Sequence, residues 1–119
     1  MFSRAPTERE LKEYATRIGI QHIPIVVNQW KIESNWGKSN LAVKYRNLFG
    51  MRKHSRKQSF SIGTTKSGFA IYERWQDSVN DYLIWQMLYA KDLTREQYLR
   101  YLQKNYGGGQ NYLQKLLAN

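Results

Sequence analysis

The chain contains no cysteine, which excludes a disulfide framework and a thiolate metal site. It has no apolar run long enough to span a bilayer. Its opening, Met1-Phe2-Ser3-Arg4-Ala5-Pro6, lacks the apolar core of a signal peptide, so no export signal is expected within it. His22 and His54 are the only histidines, far apart and without acids at ligand spacing, so neither a zinc site nor any other cofactor is expected. No serine-centred elbow or phosphate-cradling loop occurs. Gly107-Gly108-Gly109 lacks the Lys-Ser/Thr of such a loop and reads as a flexible connection. Acids are scarce: nine in 119 residues, and none between Ser34 and Tyr72. That acid-free window carries eight bases, Lys38, Lys44, Arg46, Arg52, Lys53, Arg56, Lys57 and Lys66.

The scarcity of acids leaves a net charge of +10, a surface drawn to polyanions such as nucleic acid, anionic lipid or anionic polymers of a bacterial wall. No nucleic-acid reading motif accompanies the charge, so a nucleic-acid partner is not expected. Four Trp, nine Tyr and four Phe argue against disorder, and the length suits one domain over residues 1–119.

Periodicity predicts a mainly helical chain with a small β-hairpin. Thr7 and Glu10 form a capping box ahead of Leu11, Tyr14, Ala15 and Ile18, with Gly19 as the stop. A second helix begins near Pro24 and runs to about Asn35, apolar almost all round and therefore central. Ser39 caps a short helix from Asn40 to Tyr45, and Asn47-Leu48-Phe49-Gly50 reads as a tight bend. Gln58 to Ile62 alternates polar and apolar, Gly63 to Gly68 is turn-like, and Phe69 to Tyr72 reads as the returning strand. Helix resumes from Gln76 to Ala90, with Asp77 in its first turn and Val79, Leu83, Gln86 and Leu88 as contacts. Thr94 with Gln97 opens a further helix whose apolar face is Tyr98, Tyr101 and Leu102. Asn111 to Ala118 closes the chain with Tyr112, Leu113, Leu116 and Leu117.

One carboxylate invites a chemical reading. Glu33 lies among Trp30, Ile32 and Trp36 on the second helix. Apolar surroundings raise a carboxyl pKa, which suits a general acid near neutral pH. The adjoining bases oppose that shift, and a solvent-facing Glu33 that only aids solubility is the plain alternative.

Gln29-x-x-x-Glu33-Ser34-x-Trp36-Gly37-Lys38-Ser39, followed by Asn47-Leu48-Phe49-Gly50-Met51, resembles the signature of the N-acetylglucosaminidases of glycoside hydrolase family 73. Phe69-x-x-Tyr72-x-x-Trp75-x-Asp77-Ser78, continued by Asp81-Tyr82, is similar to the family's next block, and Tyr106 through Tyr112-Leu113-x-Lys115-Leu116 to its closing pattern. The resemblance implies a lysozyme-like fold with a groove between helices and hairpin. It implies cleavage of the β-1,4 bond between N-acetylglucosamine and N-acetylmuramic acid of peptidoglycan, hence action at the bacterial cell wall, periplasmic or extracellular, by a monomer. Glu33 aligns with the family's catalytic acid and Tyr72 with its functional tyrosine. Tyr45, Phe49 and Tyr106 are candidates to stack on sugars or to pack in the core. Asn47 is a candidate to bond an acetamido group or to stabilise the bend; Gln29 to orient Glu33 or to fill core space. Trp30 and Trp36 are expected to wall the acid's pocket.

One departure from the family pattern stands out. Many relatives carry a second carboxylate in or beside the hairpin, and this hairpin has none. Glu73 is the nearest candidate, but on a strand it points opposite to Tyr72. Glycosidases ordinarily pair two carboxylates. The departure therefore leaves open substrate assistance by the 2-acetamido group, a catalytically impaired wall-binding module, and a lytic transglycosylase.

Overall fold

The computed structural model describes residues 4–53, 58–106 and 110–118; His54, Arg56, Lys57 and the triple glycine lie outside them. Helix α1 (Glu8–Ile18) starts on Thr7, whose hydroxyl accepts from the Glu10 amide while the Glu10 carboxylate accepts from the Thr7 amide. It ends on Gly19 at φ 92°, a left-handed conformation that glycine adopts at little cost. Helix α2 (Ile23–Glu33) carries Pro24 in its first turn and buries Ile25, Val26, Val27, Gln29 and Trp30. A large apolar side chain buried in this way contributes roughly 1.5–3 kcal/mol, which is why α2 is the helix the others gather on. It packs on α1 on one side and on α6 (Gln110–Ala118) on the other.

The short α3 (Asn40–Tyr45) is capped by the Ser39 hydroxyl. A two-stranded antiparallel hairpin follows, β1 (Gly63–Thr64) and β2 (Ala70–Ile71), with Gly63 opposite Ile71. Helix α4 (Trp75–Tyr89) lies against α1, and α5 (Arg95–Asn105), opened by a Thr94/Gln97 capping box, lies against α6. One core joins them, from Leu11, Val26 and Trp30 through Leu48, Phe49 and Tyr82 to Tyr98, Leu102 and Leu116. No described helix is long and apolar enough to cross a membrane.

Four expectations are corrected. Residues 58–62 form no strand; β1 begins at Gly63, inside the expected turn. The reason is tertiary: the Asp81 carboxylate captures the Phe60 amide at 2.8 Å and the Ser59 hydroxyl at 2.8 Å, leaving only the Ile62 amide to the Ile71 carbonyl. Helix α2 stops at Glu33 rather than Asn35. Leu88 and Leu117, expected as contacts, are exposed. Trp36 is 52% exposed under the Lys31 ammonium, so Trp30 rather than Trp36 is the buried tryptophan beside the helix end.

Candidate active site

The end of α2 is shaped by the residues after it. The Ser34 hydroxyl donates to the Trp30 carbonyl and accepts from the Gly37 amide at 2.7 Å. Asn35, Trp36 and Gly37 then all take positive φ, at 50°, 57° and 80°. A Cβ at residue 37 would stand 3.0 Å from Cζ2 of the buried Trp30, so glycine there answers both backbone and space. Glu33 is thereby the last residue of the helix, at the end where the backbone dipole disfavours negative charge.

The bend at residues 47–50 covers one side of that carboxylate. Asn47 is buried and fastens the bend: its amide nitrogen donates to the Met51 and Ala70 carbonyls at 2.8 and 2.9 Å, and its oxygen accepts from the Met51 amide at 3.0 Å. Leu48 and Phe49 enter the core, and Gly50 turns at φ 64°. A Cβ on Gly50 would lie 3.0 Å from Glu33 Oε1, so this glycine brings the bend onto the acid. From α6, the helix packed on α2, Tyr112 and Lys115 both act on Glu33. The Tyr112 hydroxyl is buried and makes no hydrogen bond of normal geometry. It is nonetheless near enough to act on Glu33 and on the Gln29 amide.

These surroundings set the acid's protonation. Burial raises the Glu33 pKa, and Tyr112 with Lys115 pull it partly back. The Tyr106 hydroxyl is held well above its ordinary range, first by burial and then by the Glu33 charge. Tyr106 follows α5, donates to the Phe49 carbonyl, and packs edge-on to Trp85 at 5.6 Å. Beside Gly50 an open cleft of about 290 Å³ is lined by Gly50, Met51, Arg52, Trp85, Asn105 and Tyr106. The arrangement sets a half-buried acid at the edge of an aromatic trough.

The structure therefore brings Glu33 and Tyr106 together and takes other candidates away. Tyr72 is 0% exposed, and its hydroxyl donates to Asp81 Oδ2 at 2.8 Å; it has no surface with which to line a sugar in this arrangement. Phe49 is fully buried against Tyr82, so it packs rather than stacks on ligand. The polar atoms of the Asn47 side chain are taken up by Met51 and by the Ala70 carbonyl of β2. Gln29 is fully buried and accepts from the Tyr82 hydroxyl at 2.6 Å. Tyr45 is half-buried under Lys44, and its carbonyl accepts from the Tyr72 amide at 2.9 Å. Glu73 is exposed and acts on the Arg46 guanidinium. Among the described residues, none of the groups acting on Glu33 is a second carboxylate. Sequence reasoning put Tyr112 on an apolar helix face and in the closing pattern, and Asp81 in the block after the hairpin, but gave neither a role in the site. The closing Tyr112-Leu113-x-Lys115-Leu116 pattern is the signal that singles out Tyr112.

Residues 8–119 match the family model described as glucosaminidase, mannosyl-glycoprotein endo-β-N-acetylglucosaminidase. Among solved structures, the chain is similar to the catalytic domain of the autolysin Auto from Listeria monocytogenes, with a TM-score of 0.67 and 21% identity over 98% of this chain and 85% of that one. It is also similar to a chain of a type VI secretion system effector–immunity complex from Pseudomonas protegens, with a TM-score of 0.68 and 16% identity over 93% and 86%. At these identities the likeness is one of fold. No curated protein matches the sequence. On the match over residues 8–119, the chain belongs to the glucosaminidase family and is a glycoside hydrolase.

Proposed function

We propose that the chain, acting as one catalytic domain at the cell wall, cleaves the β-1,4 bond between N-acetylglucosamine and N-acetylmuramic acid, with Glu33 as general acid. The observation that carries this reading is the placement of Glu33: half-buried, raised in pKa by that burial, and in contact with the Gly50 bend at the edge of an aromatic cleft. Protonated Glu33 donates to the glycosidic oxygen as the bond to the anomeric carbon breaks. The carboxylate it leaves is the form that the Tyr112 hydroxyl and Lys115 favour.

Substrate assistance fits the site better than a carboxylate pair. The acetamido carbonyl oxygen of the N-acetylglucosamine attacks its own anomeric carbon and forms a bicyclic oxazolinium. Water then attacks that carbon, Glu33 takes the water's proton, and the ring opens with retained configuration. This route needs one protein acid. The sequence supplies no acid between Ser34 and Tyr72, and exposed Glu73 lies within electrostatic reach of Arg46. In this proposal Tyr106 rather than Tyr72 faces the reacting sugar; in support, Tyr106 lines the cleft and lies within electrostatic reach of Glu33.

The test is digestion of purified peptidoglycan with mass spectrometry of the new sugar ends. Reducing N-acetylglucosamine ends are expected, and Glu33→Gln is expected to lose on the order of 10² to 10⁴ in rate while staying folded. Glu73→Gln is expected to leave the rate close to wild type. Anhydro-muramic ends would make the protein a transglycosylase, and wall sedimentation without cleavage would make it a binding module. A Glu73→Gln loss comparable to that of Glu33→Gln would restore the two-carboxylate mechanism.

A further inference from the structure

Among its described lining residues the cleft has one cation, Arg52, that the hydrolytic reading does not use. Arg52 lines it together with Gly50, the glycine in contact with Glu33, and Tyr106. Its side chain is exposed yet held in place by three features. The guanidinium carbon lies 4.5 Å from the centre of the Phe69 ring, a cation–π contact. Nη1 donates to the Ser67 carbonyl at 2.6 Å. Gly68, at φ 90°, keeps clear the space beside it: a Cβ there would stand 3.2 Å from Nη1. The backbone adds a bridge between Arg52 and Phe69. Among the described residues no carboxylate forms an ion pair with Arg52, and the sequence supplies no acid between Ser34 and Tyr72.

A guanidinium stacked on a ring and fastened by one nitrogen still offers its remaining N–H donors. Their planar fork matches a carboxylate and is partly pre-organised, so less freedom is lost on binding. Of the sugars in a peptidoglycan strand, only the muramoyl residue carries a carboxyl, on its lactyl arm, either free or extended by the stem peptide with its own carboxylates. On the reading above, the scissile bond adjoins that sugar. We propose that Arg52 is a carboxylate-binding subsite that reads the lactyl arm of the muramoyl residue beside the scissile bond. This rests on the peptidoglycan reading above and adds a determinant of substrate choice to it. Phosphate-bearing wall polymers are a different source of negative charge, attached away from the lactyl arm, and are distinguished by the test.

The test uses soluble glycan strands bound by the Glu33→Gln protein, so that binding is read without cleavage. Three ligands are compared: strands with stem peptides, strands stripped of peptide so that the lactyl carboxyl is free, and either strand after carbodiimide coupling to glycinamide, which neutralises its carboxyls. Strands free of wall polymer are used throughout. Adding Arg52→Gln is expected to weaken binding of the carboxylate-bearing strands about tenfold, while the ratio between the two proteins falls to about one on the neutralised strands. A larger effect on peptide-bearing strands assigns the partner to the stem peptide, and an equal effect on stripped strands assigns it to the lactyl carboxyl itself. Arg52→Lys is expected to recover only part of the loss, because it restores charge without the fork. An equal loss on neutralised strands would overturn the proposal and make Arg52 structural. An effect seen only when anionic wall polymer is added would overturn it in favour of phosphate binding. Because binding is the readout, the proposal is judged even if the wild-type protein releases no sugar ends, the outcome that would sink the hydrolytic reading alone.

Discussion

Two acids divide the labour of this fold, and their surroundings are opposite. Asp81 on α4 is fully buried, and its oxygens accept from the Ser59 hydroxyl, the Phe60 amide and the Tyr72 hydroxyl. Glu33 at the end of α2 is half-buried; the Tyr112 hydroxyl that acts on it makes no hydrogen bond of normal geometry, and burial raises the Glu33 pKa. Well-supplied donors make a carboxylate a structural fastener. Burial without them keeps a proton on a carboxyl and makes it a donor. Sequence separates the two poorly, since each is an acid in a helix beside aromatic residues.

Removing the fastener should cost the fold most. Asp81→Ala leaves the Tyr72 hydroxyl and the Phe60 amide without their acceptor, and a loss of about 2–4 kcal/mol in unfolding free energy is expected by chemical denaturation. An unchanged midpoint would mean that Asp81 does not hold the segment before β1. Tyr72→Phe removes one of the same bonds. About 1 kcal/mol of stability should go, while turnover per folded molecule persists. A collapse in turnover at preserved stability would return Tyr72 to the reacting sugar. The smallest effect is expected at the other acid. Tyr112→Phe takes away a group that favours ionised Glu33, so the Glu33 pKa rises further. Because the acid must be protonated to act, activity falls as pH rises through that pKa, and the alkaline limb of kcat/KM should move to higher pH. A move to lower pH, or none, would remove Tyr112 from the site. Stability should hold or rise, since the variant deletes a buried hydroxyl with no normal hydrogen bond.

Local chemistry made much of the fold legible. The Thr7/Glu10 and Thr94/Gln97 boxes, the Ser39 cap and the Gly19 stop are formed by neighbours in sequence, and the structure reproduces each. The all-round apolar character of α2 likewise identified the central helix. Glu33 could be singled out because its turn is local: Ser34, Gly37 and Trp30 define it within one stretch. What could not be read depends on contacts between distant segments. Alternation in residues 58–62 suggested a strand, and the Asp81 carboxylate overrides it. Tyr72 and Tyr106 look alike as sequence; only packing sends one inward to Asp81 and the other to the cleft wall. Tyr112 reaches Glu33 because α6 docks on α2, a pairing that neither helix announces alone.

The central claim is that Glu33 holds a proton where an ordinary carboxyl would have lost it, and gives that proton to the glycosidic oxygen. Titrating the Glu33 carboxyl by carbon-13 NMR in the free protein, beside the pH profile of kcat/KM, tests it most directly. A Glu33 pKa above the ordinary carboxylate range, coinciding with the alkaline limb of the profile, is expected. A Glu33 carboxyl that titrates at or below the ordinary range, with the limb set by another group, would contradict it.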